Sequence, residues 1–430
     1  MSTIPQELVE AILTDFDAFE DRDSLKSISL TALNFTGPAQ RVLFRSLELD
    51  ASGSLLDQPD KFERALELFQ NSPHIAAYPR NLTIRLPLQP AAVGNTLKRL
   101  LPHFTQVRRF IFDGLAAAWD DLPDPLQSAL TDFLLSSPLE KLHIMHISGI
   151  PLEIVTSAVR TNRVLSLQDV DIDEKVSPDD ETQLSNPQSK SPPQPCLTHL
   201  MLASPDEIQP LLLKELVLPS YTANLQRLAV DHSDSVSELL RAVSPTLTEL
   251  SLNCTGTTRA FTLPVLPCLI GLEIQVSPSW ESIVPFWLPD TLADLSTSDA
   301  DAPATLRVPS LYTLTLRIAL PLLDAFARKQ DLALPGTPRT AAVLAAVDAV
   351  LCGAVSLCVW ELAMAGGRAR NATSKVEVKE ETQRLEAAAH CALVFARFRA
   401  AVERNVARMS AEGTLEVRFA ERLGYGERLS

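Results

Sequence analysis

Around residue 250 the chain reads Leu247-Thr248-Glu249-Leu250-Ser251-Leu252, and the same apolar pattern occurs on either side of it. The upstream copy is Leu225-Gln226-Arg227-Leu228-Ala229-Val230, and the downstream copy is Leu269-Ile270-Gly271-Leu272-Glu273-Ile274. Leu228, Leu250 and Leu272 stand 22 residues apart. Residues two apart on a strand share a face, so the last two apolar positions of each copy point inward and the residue between them points out. One such unit cannot bury its own apolar face and has to stack on neighbours.

Working outward, Leu139-x-x-Leu142-x-Ile144, Leu197-x-x-Leu200-x-Leu202 and Leu311-x-x-Leu314-x-Leu316 match all three positions, and Val107-x-x-Phe110-x-Phe112 matches with aromatic substitutes. Leu82-x-Ile84, Leu165-x-Leu167 and Leu292-x-x-Leu295-x-Thr297 match in part. An apolar chain produces such triples by chance, but not three in succession at one spacing. The period and the triple are those of leucine-rich repeats. The expected fold is therefore α/β: a solenoid of parallel strands with outer helices, after a short N-terminal helical module. Asn95–Phe104 and Leu126–Leu135 read as outer helices, and residues 60–72 as an amphipathic helix through Phe62, Leu66 and Phe69. The Asn or Cys that such repeats carry three residues past the strand is missing, so no asparagine ladder is expected there.

The chain carries a net charge of −15, which disfavours nucleic acid as a partner, because phosphate neutralisation needs a basic face. The six cysteines form no Cys-x-x-Cys pair and no metal-ligand spacing. The N-terminal residues lack a basic stretch followed by an apolar run, so no signal peptide is expected, the four Asn-x-Ser/Thr sites read as chance, and the compartment reads as cytoplasmic or nuclear. Residues 341–365 are apolar, but Asp348 and Glu361 interrupt them, and a membrane span needs about 20 uncharged residues. They read as a buried helix and strand, with no membrane partner.

The first fifty residues differ from the rest. Ile4, Leu8, Ile12, Leu13 and Phe16 have helical spacing, with Pro5 and Glu7 where a helix start accepts a proline and an acid. Asp23 is a cap candidate for a second apolar face of Leu25, Ile28 and Leu30. Gly37-Pro38 reads as a break, with a third short helix starting near Ala39. By themselves these helices read as a cap on the solenoid's end.

The stretch IPQELVEAILTDF, with Ser29–Phe35 and Arg41–Leu47 after it, resembles an F-box of the kind abundant in mushroom-forming fungi. In that family Phe35 is usually Trp, and Ala32-Leu33 is usually Cys-Arg. The resemblance covers residues 4–49, and the irregular leucine-rich remainder fits the same family more loosely. It implies docking on the small adaptor subunit of SCF-type ubiquitin ligases. The implied contacts are Ile4, Pro5, Glu7, Leu8, Ile12, Leu13, Phe16, Leu30 and Phe35.

The domain plan is then a module over 1–50 and a solenoid over 51–425. The solenoid carries a flexible insertion at 173–195, rich in proline and acids with only two aliphatic residues. Residues 367–379 read as a loop, 380–410 as a long helix, and Leu415-x-Val417-x-Phe419 as a closing strand. No phosphate-cradling, nucleophile-elbow or zinc-protease motif occurs, and 14 glycines in 430 residues leave little material for phosphate loops. His143 and His146 are three apart, so on a regular strand they face opposite sides.

The outward strand positions are the candidate target-binding face. In the early strands they are Lys141, His143, Met145, His199, Met201, Arg227 and Asp231. In the later strands they are Glu249, Ser251, Asn253, Glu273 and Gln275. The early part is mildly basic and the later part acidic, which could equally be an ordinary solvated sheet. The expected role is a non-catalytic substrate receptor without a cofactor. The alternatives are a scaffold outside any ligase, or a leucine-rich-repeat regulator such as a GTPase-activating protein.

Overall fold

The three 22-residue copies form adjacent parallel strands, with Leu228 beside Leu250 beside Leu272. The computed structural model describes residues 5–18, 20–51, 58–87, 89–173, 196–203, 216–233, 236–255, 257, 259–277, 284–296, 308–320, 338–351, 357–364, 396, 398–404, 406 and 415–420. The expectations for Ile4, for the insertion beyond Asp173, for 367–379 and for most of 380–410 lie outside these residues. The chain divides into two units, Met1–Asn224 and Leu225–Ser430.

In the first unit six strands pair in parallel and in chain order: β1 (Ser46–Asp50), β2 (Asn81–Arg85), β3 (Arg109–Ala118), β4 (Lys141–Pro151), β5 (Val164–Asp173) and β6 (His199–Ala203). Parallel neighbours need a crossover, and helices supply it here. These are α4 (Gln58–Asn71) after β1, α5 (Gly94–Leu100) after β2, α6 (Asp124–Ser136) after β3 and α7 (Leu152–Thr161) after β4. In the buried layer Phe69 of α4 meets Phe104 edge-on at 5.4 Å, and Phe133 of α6 meets Phe110 of β3 at 5.0 Å. Leu82, Ile84, Phe110 and Phe112 are fully buried, as period-two alternation requires.

The second unit repeats the plan with β7 (Arg227–Asp231), β8 (Glu249–Asn253), β9 (Gly271–Val276), β10 (Thr313–Leu320), β11 (Leu357–Met364) and β12 (Leu415–Ala420). The apolar stretch from 341 becomes helix Pro338–Leu351 and then β11, with Leu344, Val347 and Cys358 buried. Among the described residues no helix is long and apolar enough to cross a membrane.

Four sequence expectations are corrected. Ser46–Asp50, assigned to the helical module, is the first strand, because Leu47 and Leu49 lie in register with Leu82 and Ile84. Leu292 and Leu295, part of a partial match to the strand pattern, fall instead on helix Leu288–Ser296, where Leu288, Thr291 and Leu292 are buried at helical spacing. β9 therefore pairs directly with β10. The third N-terminal helix does not start after Gly37-Pro38 but runs through it: α1 is Gln6–Thr14, α2 is Arg22–Thr31 and α3 is Leu33–Leu43. Pro38 forfeits one helical hydrogen bond, yet it is buried, and its neighbour Ala39 joins the core with Val9, Leu13 and Leu25 of the other two helices. Finally, the N-cap position of α2 is Asp21, whose side chain makes no capping bond, and Asp23 lies in the first turn.

Candidate functional site

The N-terminal helices make a small core of Val9, Leu13, Leu25 and Ala39, with Phe16, Ile28, Phe35, Val42 and Leu43 packed around it. Arg41 of α3 bonds Glu10 of α1 at 2.8 Å, and the Thr36 hydroxyl donates to the Ser29 carbonyl at 2.8 Å. This core already uses several residues expected to face an adaptor. Leu13 is 1% exposed, and Phe16 and Phe35 are partly buried against it. The side chains turned outward are Leu8 and Ile12, each 55% exposed, with Leu30 at 86% and Leu33 at 95%. Pro5 and Glu7 are exposed beside them. Leu33 is the residue that the sequence reading omitted. Its signal was a leucine standing outside the helical face of Leu25 and Ile28.

The second surface is the strand face opposite the buried leucines. Lys141, Met145, His199, Arg227, Asp231, Ser251, Asn253 and Glu273 are partly exposed there, and Glu249 is exposed. His143, Met201 and Gln275 are not available as contacts, since each is at most 4% exposed. His143 lies in register between Ile111 and Ser166, and Ser166 is followed by Met201. Side chains on neighbouring strands, about 4.8 Å apart, cover one another's flanks. The His143 imidazole is held neutral, with its pKa pushed down to about 4, first by burial and then by the nearby charges of Arg109 and Lys141.

Just past the inward pair of each strand runs a polar row that sequence reasoning saw only in part. In the first unit Arg85 donates to Glu48 at 2.7 Å and to Asp50 at 2.8 Å, and its Nε lies 3.9 Å from the buried Asp113 carboxylate. Asp113 also accepts from the Leu115 N–H at 3.2 Å and contacts His146 Nδ1 at 3.0 Å. His146 Nε2 then lies 3.4 Å from Asp169. The chain turns a corner here. Leu115, Ala116, His146 and Asp169 all have φ between 51° and 66°, stacked across β3, β4 and β5. Asp and His adopt this left-handed conformation more readily than most residues. Gly114 is required beside them, because a Cβ there would stand 2.8 Å from the His146 carbonyl oxygen. The strand is bulged at His146 rather than regular, and the ring sits between two carboxylates.

In the second unit the row consists of Asp231, Asn253 and Gln275. The Asn253 amide donates to Asp231 at 2.6 Å and accepts from Gln275 at 3.3 Å and from the Thr255 N–H at 3.2 Å. An amide ladder does therefore form, inside the strands rather than three residues past them. Glu273 and Arg317 close the row with a 2.7 Å ion pair, largely shielded from solvent. Cys254 adjoins the ladder, with its thiol pushed up to about 12 by burial and then by Asp231, so it is inert at neutral pH. Among the described residues no cluster of His, Cys, Asp and Glu could hold a metal ion.

The two surfaces are a set of exposed apolar side chains on three helices and a polar strand face of mixed charge. Compared with known proteins, the chain matches no family model and no curated protein.

Proposed function

We propose that the chain is a non-catalytic substrate receptor of an SCF-type ubiquitin ligase. Its helical module docks on the adaptor subunit, and the polar face of the leucine-rich strands selects a target protein. The observation that carries the reading is the division of labour in the N-terminal module. Val9, Leu13, Leu25 and Ala39 already form its core, while Leu8, Ile12, Leu30 and Leu33 remain exposed. Fully burying a side chain of this size is worth about 1.5–3 kcal/mol, so four such residues on one small module favour a partner surface. The resemblance of residues 4–49 to an F-box supplies the identity of that partner. The test is titration calorimetry of the full chain with the adaptor subunit. Saturable one-to-one binding is expected. Absence of heat at high micromolar concentration would replace the receptor with a scaffold working outside any ligase.

A further inference from the structure

The residues that enter the strands of the first unit form a row whose charge opposes that of the chain. The Arg45 carbonyl accepts from the N–H groups of both Arg80 and Asn81, at 2.8 and 3.0 Å. The Arg80 carbonyl accepts in the same way from Arg108 and Arg109, at 2.8 and 3.0 Å. The Arg108 carbonyl serves Glu140 and Lys141, and the Glu140 carbonyl serves Arg163 and Val164. This repeated fork fixes the entry residues in a line, one strand spacing of about 4.8 Å apart. The line carries Arg45, Arg80, Arg108 and Arg163, with Arg109 and Lys141 one residue further along their strands. Its only acid is Glu140.

The fork itself does not need arginine. In the second unit the carbonyls of Gln226, Thr248 and Ile270 make it equally well. Three of these arginines meet little opposite charge among the described residues. Arg108 meets Glu140 at 2.6 Å, but both side chains are more than half exposed, so the pair contributes little. Arg80 is held by the Gln106 side chain and carbonyl, at 2.7 and 3.1 Å. Arg109 Nε is buried with no acceptor. Around them lies a concavity of about 390 Å³, bounded by Arg45, Arg80, Asn81, Arg108, Arg109 and Glu140. In a chain with a net charge of −15, this edge concentrates cations, and Glu140 is the one acid in the row.

We propose that this edge binds an extended acidic segment of a partner protein through its carboxylates. Five entry positions at strand spacing span roughly 20 Å, the length of about six residues of extended chain. Carboxylates suit the fork-shaped guanidinium donors. A nucleic acid fits less well, since its continuous phosphate backbone would meet Glu140 and the acidic remainder of the chain. The inference names the chemistry of the target in the receptor reading and rests on that reading for its biological meaning.

The experiment is fluorescence anisotropy of the full chain with a labelled ten-residue peptide of alternating Glu and Gly, at low salt. A Lys/Gly peptide and a single-stranded ten-nucleotide DNA are run as comparisons. The acidic peptide is expected to bind, with an affinity that falls as salt rises and drops at least tenfold in the Arg80→Glu/Arg163→Glu variant. Arg259→Glu, in the second unit, should leave it unchanged. If the double reversal lowers the melting temperature, Arg80→Gln/Arg163→Gln carries the same comparison. No acidic-peptide binding at millimolar concentration, binding indifferent to these substitutions, or tighter binding of the DNA would each overturn the proposal. None of these outcomes bears on adaptor docking through Leu8 and Ile12, so the two readings fail separately.

Discussion

The two units solve the same problem, polar groups held at the end of a buried strand pair, with different chemistry. The first uses ions: Asp50, Arg85, Asp113, His146 and Asp169 run across five strands, and Asp113 is fully buried. The second uses mainly amides, with Asn253 joining Asp231 to Gln275. The difference follows the backbone. β7 and β8 are five-residue strands at a constant 22-residue spacing, and each amide meets the next at the same height. β3, β4 and β5 are ten or eleven residues long and turn a left-handed corner, where side chains meet at unequal offsets. A flat ladder can be satisfied by hydrogen bonds between equivalent residues. A corner needs a group with several acceptor sites, and the Asp113 carboxylate provides them.

This contrast fixes the order of expected effects. Asp113→Ala removes a fully buried carboxylate that accepts from the Leu115 N–H and contacts His146, while Arg85 keeps Glu48 and Asp50, and should cost about 2–3 kcal/mol. Asn253→Ala removes neutral hydrogen bonds and should cost about 1–2 kcal/mol. Chemical denaturation of both variants measures the difference, and equal losses would erase the distinction between the two rows.

Leu250→Ala empties a position that is 2% exposed, between Leu228 and Leu272, and should cost about 2–5 kcal/mol. Ser251→Arg, on the opposite face, should stay within about 0.5 kcal/mol. Thermal melts decide whether the register of the regular strands is right, since matched shifts would place the two residues on one face.

Acid should weaken the first unit through His143. Its folded pKa of about 4 lies below the ordinary 6.5, so the unfolded chain takes up the proton first. The stabilisation is complete above pH 6.5 and declines as the pH falls toward 4, by about 3 kcal/mol in all. In His143→Leu the slope of stability against pH over that interval should flatten. An unchanged slope would mean that the imidazole is solvated.

The strands of the regular unit were legible because their information is local. Leu225, Leu228 and Val230 announce a strand within six residues, and two further copies fix its neighbours. β1 was missed because Leu47 and Leu49 acquire meaning only beside Leu82 and Ile84, more than thirty residues away. Helix Leu288–Ser296 was misread because Leu292 and Leu295 fit both a strand triple and a helical face. The corner could not be seen residue by residue, since His146 and Asp169 turn toward each other only after the strands bulge. One signal was present. Aligning the residue after each inward pair gives Asp50, Arg85 and Asp113, then Met145, Gln168 and Ala203, then Asp231, Asn253, Gln275 and Arg317: two polar runs separated by the strands around the corner. In the helical module, spacing found the apolar residues but could not divide those of the core from those of the surface, because three short helices share them.

That division is the point on which the account turns, and one titration reads it directly. The adaptor subunit is titrated into the full chain carrying Leu8→Asp or Ile12→Asp, and the melting temperature of each variant is recorded alongside. Both side chains are 55% exposed, so the expected result is an unchanged melting temperature with binding weakened by at least ~2 kcal/mol, about thirtyfold. Wild-type affinity in both variants would contradict the account, because the exposed leucine face would then have no part in docking.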